Sequence, residues 1–238
     1  MFKKKTITFI LSMLMVPSFL KAETYSLNKN FYIGFSLGAL VPNDVKVQKS
    51  GAGVINGVNF SANIAGNFVF DNGYQVGGIL GYRLNDFFSF ETDLAYTNFD
   101  YDKLELTVAG TATVGGNTFT GTDNTTYDVD GSISSFSIIF GPVFDMDVRE
   151  NLEFFIGGGI GFASYSDEIK TVGGSSGLAF DEDFSDFAAK FKAGFNYSLS
   201  DLSYLQAEYG YNFVDSGIEN YSEDFSANSF SAKIVFNF

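Results

Sequence analysis

The 238 residues include no cysteine, no histidine and no tryptophan, and only three prolines. Without His or Cys, no catalytic group built on an imidazole or a thiolate can form, and most zinc sites are excluded too. The lack of Cys says nothing about redox compartment. Basic residues are scarce: 14 Lys+Arg stand against 28 Asp+Glu, a net charge of −14. A nucleic-acid partner is therefore not expected, since phosphates need a basic face. Past the N-terminus there is no run of 18 apolar residues, so no membrane-spanning helix is expected there. Aromatics, by contrast, are plentiful, with 29 Phe and 13 Tyr. A disordered acidic chain would be poor in them. The length fits one all-β domain.

The front of the chain reads as an address. Met1-Phe2-Lys3-Lys4-Lys5 is basic, Thr6 to Leu20 is almost wholly apolar, and Lys21-Ala22-Glu23 follows. This is the pattern of a secretory signal peptide, expected to span 1–22 with cleavage after Ala22. The apolar stretch is too short for a spanning helix and contains Pro17. Removing Lys3, Lys4, Lys5 and Lys21 leaves 10 basic residues against 28 acids, a net of −18 for residues 23–238.

Within 23–238 a period of two recurs in eight segments, and a helical period is nearly absent. Phe31, Ile33, Phe35, Leu37, Ala39 and Val41 alternate with Tyr32, Gly34, Ser36 and Gly38. Later segments are centred on Val76–Leu84, Phe88–Tyr96, Phe136–Phe144, Leu152–Phe162, Phe187–Tyr197, Leu205–Phe213 and Phe230–Phe238. Short connections at Asn85-Asp86, Asp145 to Asn151 and Ser200-Asp201 alternate with long ones near 42–73, 101–131, 165–184 and 214–226. Short turns on one side and long loops on the other are the outer-membrane pattern. An even strand count lets the sheet close without an unpaired edge. A strand of about 11 residues tilted by about 40° rises roughly 28 Å, enough for an apolar band of about 25 Å. The fold expected is an eight-stranded antiparallel up-and-down transmembrane β-barrel.

A soluble barrel of lipocalin type would carry the same alternation with the faces reversed. The small-and-polar face decides between them. It holds Arg83, Lys190, Lys192 and Lys233 together with Glu91, Asp93, Glu153 and Glu208, four charges of each sign. A solvated face should be as acidic as the rest of the chain. An enclosed lumen must balance its ions, because each buried charge costs several kcal/mol. Gly34, Gly38, Gly77, Gly81, Gly157, Gly159, Gly161, Gly194 and Gly210 share that face, as suits a barrel barely wide enough for its own side chains. Expected pairings are Arg83 with Glu91 and Asp93, Lys190 and Lys192 with Glu153 and Glu208, and Lys233 with Glu208. Tyr82, Tyr96, Tyr197, Tyr204, Tyr209 and Tyr211 are expected in aromatic girdles at headgroup depth.

The chain ends on Ser229-Phe230-Ser231-Ala232-Lys233-Ile234-Val235-Phe236-Asn237-Phe238, an alternating strand that stops on an aromatic. This resembles the C-terminal signature of bacterial outer-membrane barrels, with Phe230, Phe236 and Phe238 as the assembly signal. Phe31-Tyr32-Ile33-Gly34 and Gly81-Tyr82-Arg83-Leu84-Asn85 are also similar in style to the small-barrel group. That group includes OmpA transmembrane domains, OmpX, opacity proteins and the surface antigens of intracellular alphaproteobacteria. The resemblance implies a place in the outer membrane. It also implies contact with its lipid and lipopolysaccharide, recognition by the barrel-assembly machinery, and a surface receptor as a further partner. OmpA carries a peptidoglycan-binding domain after its barrel; with no residue after Phe238, no such tether is expected.

No catalytic, cofactor or metal site is expected. Outer-membrane proteases and lipid A deacylases use His. Glu91 and Asp93 could act as an acid–base pair, but an ion ladder with the lysines is the plainer reading. Gly157-Gly158-Gly159-Ile160-Gly161 misses the dinucleotide spacing and lies within a strand. Asp123, Asp128 and Asp130, and Asp181-Glu182-Asp183 with Asp186, do not complete a calcium loop. Loops two, three and four are acidic and loop one is neutral. Loop two alternates around Leu104, Leu106 and Val108 and turns at Gly115-Gly116, so a hairpin protruding beyond the membrane is expected. The functional expectation is a structural barrel that displays four long loops. A narrow pore for small or hydrophobic solutes and an adhesin for a host or phage receptor are the alternatives.

Overall fold

The structure, a computed structural model, describes residues 30–55, 58–215 and 224–238. The expected leader at 1–22 and much of the fourth long connection lie outside them. Ten strands follow one another: β1 (Phe31–Pro42), β2 (Val45–Ile55), β3 (Val58–Phe70), β4 (Gly73–Asn85), β5 (Phe88–Val114), β6 (Asn117–Arg149), β7 (Leu152–Val172), β8 (Phe180–Ser200), β9 (Ser203–Val214) and β10 (Phe225–Asn237). Eight of them close in the order β1-β4-β5-β6-β7-β8-β9-β10, with β10 pairing back onto β1. Every pairing in the ring is antiparallel. Closure leaves no backbone group unpaired at an edge inside the lipid.

Ten strands arise from eight passes because two passes are broken once each. β1 runs on into β2 across Asn43-Asp44, and β3 runs on into β4 across Asp71-Asn72. The breaks keep their donors paired: the Asn43 N–H donates to the Ser226 carbonyl at 2.9 Å and the Asp71 N–H to the Asp100 carbonyl at 2.9 Å. β2 pairs with β3, and β3 pairs with residues 101–113 of β5. The stretch 42–73, expected as a loop, is therefore a β-hairpin. Its signal is present: Val58, Phe60, Ala62, Ile64, Gly66, Phe68 and Phe70 keep a period of two. The Asn, Ser and Ala residues between them are poor or neutral strand formers and mask it.

The hairpin expected at Gly115-Gly116 forms. Both glycines have positive φ, 58° and 86°, as a type I′ turn requires. β5 and β6 are 27 and 33 residues long, far more than the about 11 residues of a tilted membrane pass. On the other side, β4–β5, β6–β7 and β8–β9 are joined by two residues each. The stretch from Asp145 to Asn151, expected as a connection, is mostly strand: β6 continues to Arg149, and Asp145 pairs with Phe155.

Sidedness follows the alternation. Phe35, Leu37, Phe140, Phe162, Phe191, Phe195 and Phe236 are exposed on the outer wall, while Lys190, Lys192, Lys233, Glu91, Asp93 and Glu208 are buried. Tyr82, Tyr197, Tyr209 and Tyr211 point outward, and Tyr96 packs against Tyr74 on the same face. Tyr204 does not join them. It shares its parity with Gln206 and Glu208 and is buried inside.

The narrow lumen depends on absent side chains at a few inner positions. A Cβ on Gly194 would lie 1.9 Å from the Ala207 carbonyl oxygen and 2.8 Å from the Phe155 ring, and one on Gly81 would lie 1.9 Å from the Tyr32 ring. Gly121, on the extracellular part of β6, has nothing within 4 Å. Gly194→Val should destabilise the barrel by about 3 kcal/mol or more, whereas Gly121→Ala should change stability by less than about 0.5 kcal/mol. Urea unfolding in lipid vesicles, followed by tyrosine fluorescence, measures both.

Candidate functional site: the sealed lumen

At the level of the membrane, six ions meet across the barrel. Asp93 and Glu91 project from β5, Lys190 and Lys192 from β8, Glu208 from β9 and Lys233 from β10. Lys190 Nζ lies 2.9 Å from Asp93 Oδ2 and 2.9 Å from Glu208 Oε1. Lys192 pairs with Glu91 and lies 3.6 Å from Asp93 Oδ2. Lys233 pairs with Glu208 and lies 3.6 Å from Asp93 Oδ2. The side chains are 0–7% exposed. Three positive and three negative groups thus form a dry, neutral cluster that ties β5 to β8 and β10 through the interior. Desolvating each ion costs several kcal/mol, which the mutual attraction offsets only while the set is complete.

Two expected members stand elsewhere. Arg83 forms no ion pair within 4.0 Å among the described residues. It pairs in register with Ser89, below Glu91, and its guanidinium lies 5.7 Å from the centre of the Tyr32 ring, a cation–π distance. Glu91 is instead taken by Lys192 and by the Tyr32 hydroxyl, which donates to Glu91 Oε1 at 2.7 Å. Glu153 does not reach Lys190 or Lys192, because on β8 it faces Asn196 while the lysines face Gly159 and Gly157. Asn196 Nδ2 lies 3.5 Å from Glu153 Oε2 and donates to Asp145 Oδ1 at 3.2 Å; Gln206 Nε2 donates to Asn196 Oδ1 at 3.1 Å. This polar ring lines the periplasmic end. Phe230, Phe236 and Phe238 lie on the outer face at the end of the chain, all exposed.

Above the ions the inner face changes character. Leu40, Phe99, Tyr101, Leu104, Ile133, Tyr165, Ile169 and Val214 form one buried apolar cluster, with Phe68, Phe70, Phe184 and Phe225 packed on it. Phe99 stacks on Phe225 at 5.3 Å and Tyr165 on Phe184 at 5.1 Å, while Phe70 meets Phe99 edge-on at 5.4 Å. The Tyr101 hydroxyl donates to the buried Asp167 at 2.9 Å. This aromatic stopper, together with Asp145 and Asp167, went unread as lumen in the sequence. Parity marks most of them: Phe99, Tyr101, Ile133, Asp145, Tyr165, Asp167, Val214 and Phe225 continue the inward series of their strands, while the irregularity between Asp100 and Lys103 moves Leu104 to the other parity. Between stopper and polar ring, the void beside Glu91, Asp93 and Lys192 measures about 10 Å³, room for one water at most.

Breaking the cluster should cost more than losing an ion outside it. Lys190→Met, which leaves Asp93 and Glu208 undercompensated, should destabilise the barrel by about 3–5 kcal/mol. Arg83→Met should cost clearly less, and Asp123→Ala on the extracellular part of β6 about 0.5 kcal/mol or less. Exchanging partners, Lys192→Glu with Glu91→Lys, should recover most of the loss of either single change. Urea midpoints and heat-dependent gel mobility rank the series; equal midpoints for Lys190→Met and Arg83→Met would contradict the assignment.

Several solved structures are similar to the chain at low identity. Neisserial surface protein A is 16% identical, with 87% of this chain and 97% of that one covered and a TM-score of 0.47. OprG from Pseudomonas aeruginosa is 12% identical, with 88% and 95% covered and a TM-score of 0.48. Ail of Yersinia pestis is 14% identical, with 88% and 99% covered and a TM-score of 0.41. No curated protein matches the chain. The family model for the outer membrane protein beta-barrel domain matches residues 10–238. With its inward ions, outward phenylalanines and closed ring of eight passes, the chain belongs to that family and to the bacterial outer membrane.

Proposed function

We propose that this barrel is structural: it braces the outer membrane and carries a contact surface on its extracellular strands and loops, with no catalysis. The observation that carries this reading is the filled interior. From the Tyr32 level to Phe225, polar ring, ion cluster and aromatic stopper follow one another along the inner face of the described residues. Eight strands enclose little more than their own side chains, whereas water-filled pores use 16–18. The carboxylates that could serve acid–base chemistry are held by lysines in a dry site. The outer wall contacts outer-membrane lipid. Acidic extracellular segments repel anionic lipopolysaccharide heads unless cations bridge them. The adhesin alternative draws support from the strands that rise beyond the membrane.

Purified barrel inserted into planar bilayers should pass no steady current; a large, selective conductance would replace this reading with the pore. The assembly role of the C-terminal aromatics is tested separately. Deleting Phe238, or changing it with Phe236 to Ser, should lower the amount of barrel in the outer-membrane fraction several-fold, and unchanged yield would argue against that role.

A further inference from the structure

β6 loses one of its two neighbours part-way up. β7 runs beside it as far as the pair Val129–Val172 and then turns back at Gly173-Gly174, both of positive φ, 59° and 76°. The Gly173 N–H donates to the Asp128 carbonyl at 2.8 Å, the last main-chain bond on that side among the described residues. Above it, residues 117–127 of β6 pair with β5 alone. The chain next to this edge, Val172 to Ala179, is described, and every residue from Asn117 to Asp128 is exposed. Two independent features decide which groups the edge offers. Val114 and Asn117 flank a two-residue turn, so they bond to one another across the hairpin, and main-chain bonding alternates from there. Odd-numbered residues are thereby turned to β5. The bond from Gly173 to Asp128 agrees, since it places even-numbered residues on the open side. Thr118, Thr120, Thr122, Asn124 and Thr126 therefore present their N–H and C=O groups outward.

An edge of this kind is ordinarily blunted by lysine, proline or a covering element. Residues 106–122, the tip of the β5–β6 hairpin, contain no charged residue, and 117–127 contain no Lys, Arg or Pro. The charge that stands near the edge is acidic. Residues 117–130 and 165–186, neighbours through the Val129–Val172 and Ser132–Glu168 pairs, hold nine acids against one lysine. That field repels an acidic strand, the same edge of a second copy included, and anionic lipopolysaccharide; it attracts a basic strand. The side chains narrow the choice. Phe119, Asp123 and Tyr127 share the parity of the buried Val129 and so lie on the inner face, with Gly121 and Thr125 between them. Phe119 is 63% exposed and Tyr127 39%. Asp123 lies in one row with Val108, Ile64 and Lys49, but that lysine is three strands away on β2. A strand laid along the edge therefore meets an unneutralised carboxylate with an aromatic four residues to either side. On the outer face it meets Thr and Asn side chains.

We infer that the open edge of β6 binds an extended basic segment of another protein by strand addition. The segment lies antiparallel to β6, in line with β7, and its foot rests against the Gly173-Gly174 turn. Opposite residues 119–127 it covers about 30 Å at about 3.4 Å per residue. Its alternate main-chain groups bond to Thr120, Thr122, Asn124 and Thr126. An arginine or lysine stands opposite Asp123, and apolar residues four positions to either side lie against Phe119 and Tyr127. The main-chain bonds supply attachment, and the row of inner-face side chains supplies the choice of sequence.

The inference rests on the contact-surface part of the proposed function; bilayer conductance bears on the sealed barrel alone, so either can fail without the other. The experiment uses the whole barrel in lipid nanodiscs and a fluorescent synthetic peptide. The peptide has phenylalanine at each end of a nine-residue stretch, arginine at its centre, threonine and valine between, and two lysines added at the C-terminus. Fluorescence anisotropy should report saturable binding. Glutamate in place of the central arginine should weaken it by about ten-fold or more. N-methylation of the two residues flanking the arginine, whose N–H groups face β6, should abolish binding. N-methylation of the arginine itself, whose N–H faces solvent, should leave it. On the barrel, Thr122→Pro removes one outward N–H without touching the β5 ladder and should weaken binding several-fold with unchanged heat-dependent gel mobility. Asp123→Lys should reverse the preference in favour of the glutamate peptide. No binding, equal loss from both methylation patterns, or equal binding of the arginine and glutamate peptides would each overturn the inference. So would a doubling of particle mass without peptide, which would assign the edge to a second copy.

Discussion

Lipid offers the backbone no hydrogen bonds, and that constraint shapes everything below the aromatic stopper. An N–H or C=O left open in hydrocarbon costs several kcal/mol, so every strand must have two neighbours. The pairing of β10 with β1, from Tyr32–Asn237 to Pro42–Ala227, meets this requirement by joining the two ends of the sheet. Closure then divides every strand into one face for acyl chains and one for a narrow interior. Phenylalanines, glycines and ions are sorted accordingly.

The interior imposes a second constraint, neutrality. A chain this acidic cannot carry its average charge into a space without water. At the membrane's level it meets three carboxylates with three lysines drawn from four strands: Lys190–Asp93 and Lys192–Glu91 span the lumen, while Glu208 joins Lys190 and Lys233 on the strands beside it. Cross-lumen pairing also resists flattening of the barrel, since β5 and β8 are not sheet neighbours. Nearer the extracellular end the same inward positions switch to Phe, Tyr, Leu and Ile, which need no partners and exclude water by packing.

Beyond the membrane, water again satisfies the backbone, and the rule of two neighbours lapses. Among the described residues, β2 and the outer part of β6 pair on one side only, and the inner face carries Phe60, Ile64, Val108 and Phe119 together with Lys49 and Asp123. Surfaces of this kind mark contact sites in soluble proteins. Here the uncharged tip distinguishes the region from the acidic loops around it.

Much of this was legible in the order of residues. Period-two alternation, turn length and the equal charges on one face determined an eight-pass barrel with Phe outside and Arg83, Lys190, Glu208 and their fellows inside. These are local properties, because parity along a strand assigns each side chain to a face whatever its neighbours are. Partner choice is not local. Arg83 settled over Tyr32, Glu153 faced Asn196, and Glu91 went to Lys192, because the register between strands and the curvature of the wall decide which inward groups meet. The hairpin of β2 and β3 lay hidden for a related reason. Its alternation was present but weak, and only pairing with the long arm of β5 made it sheet.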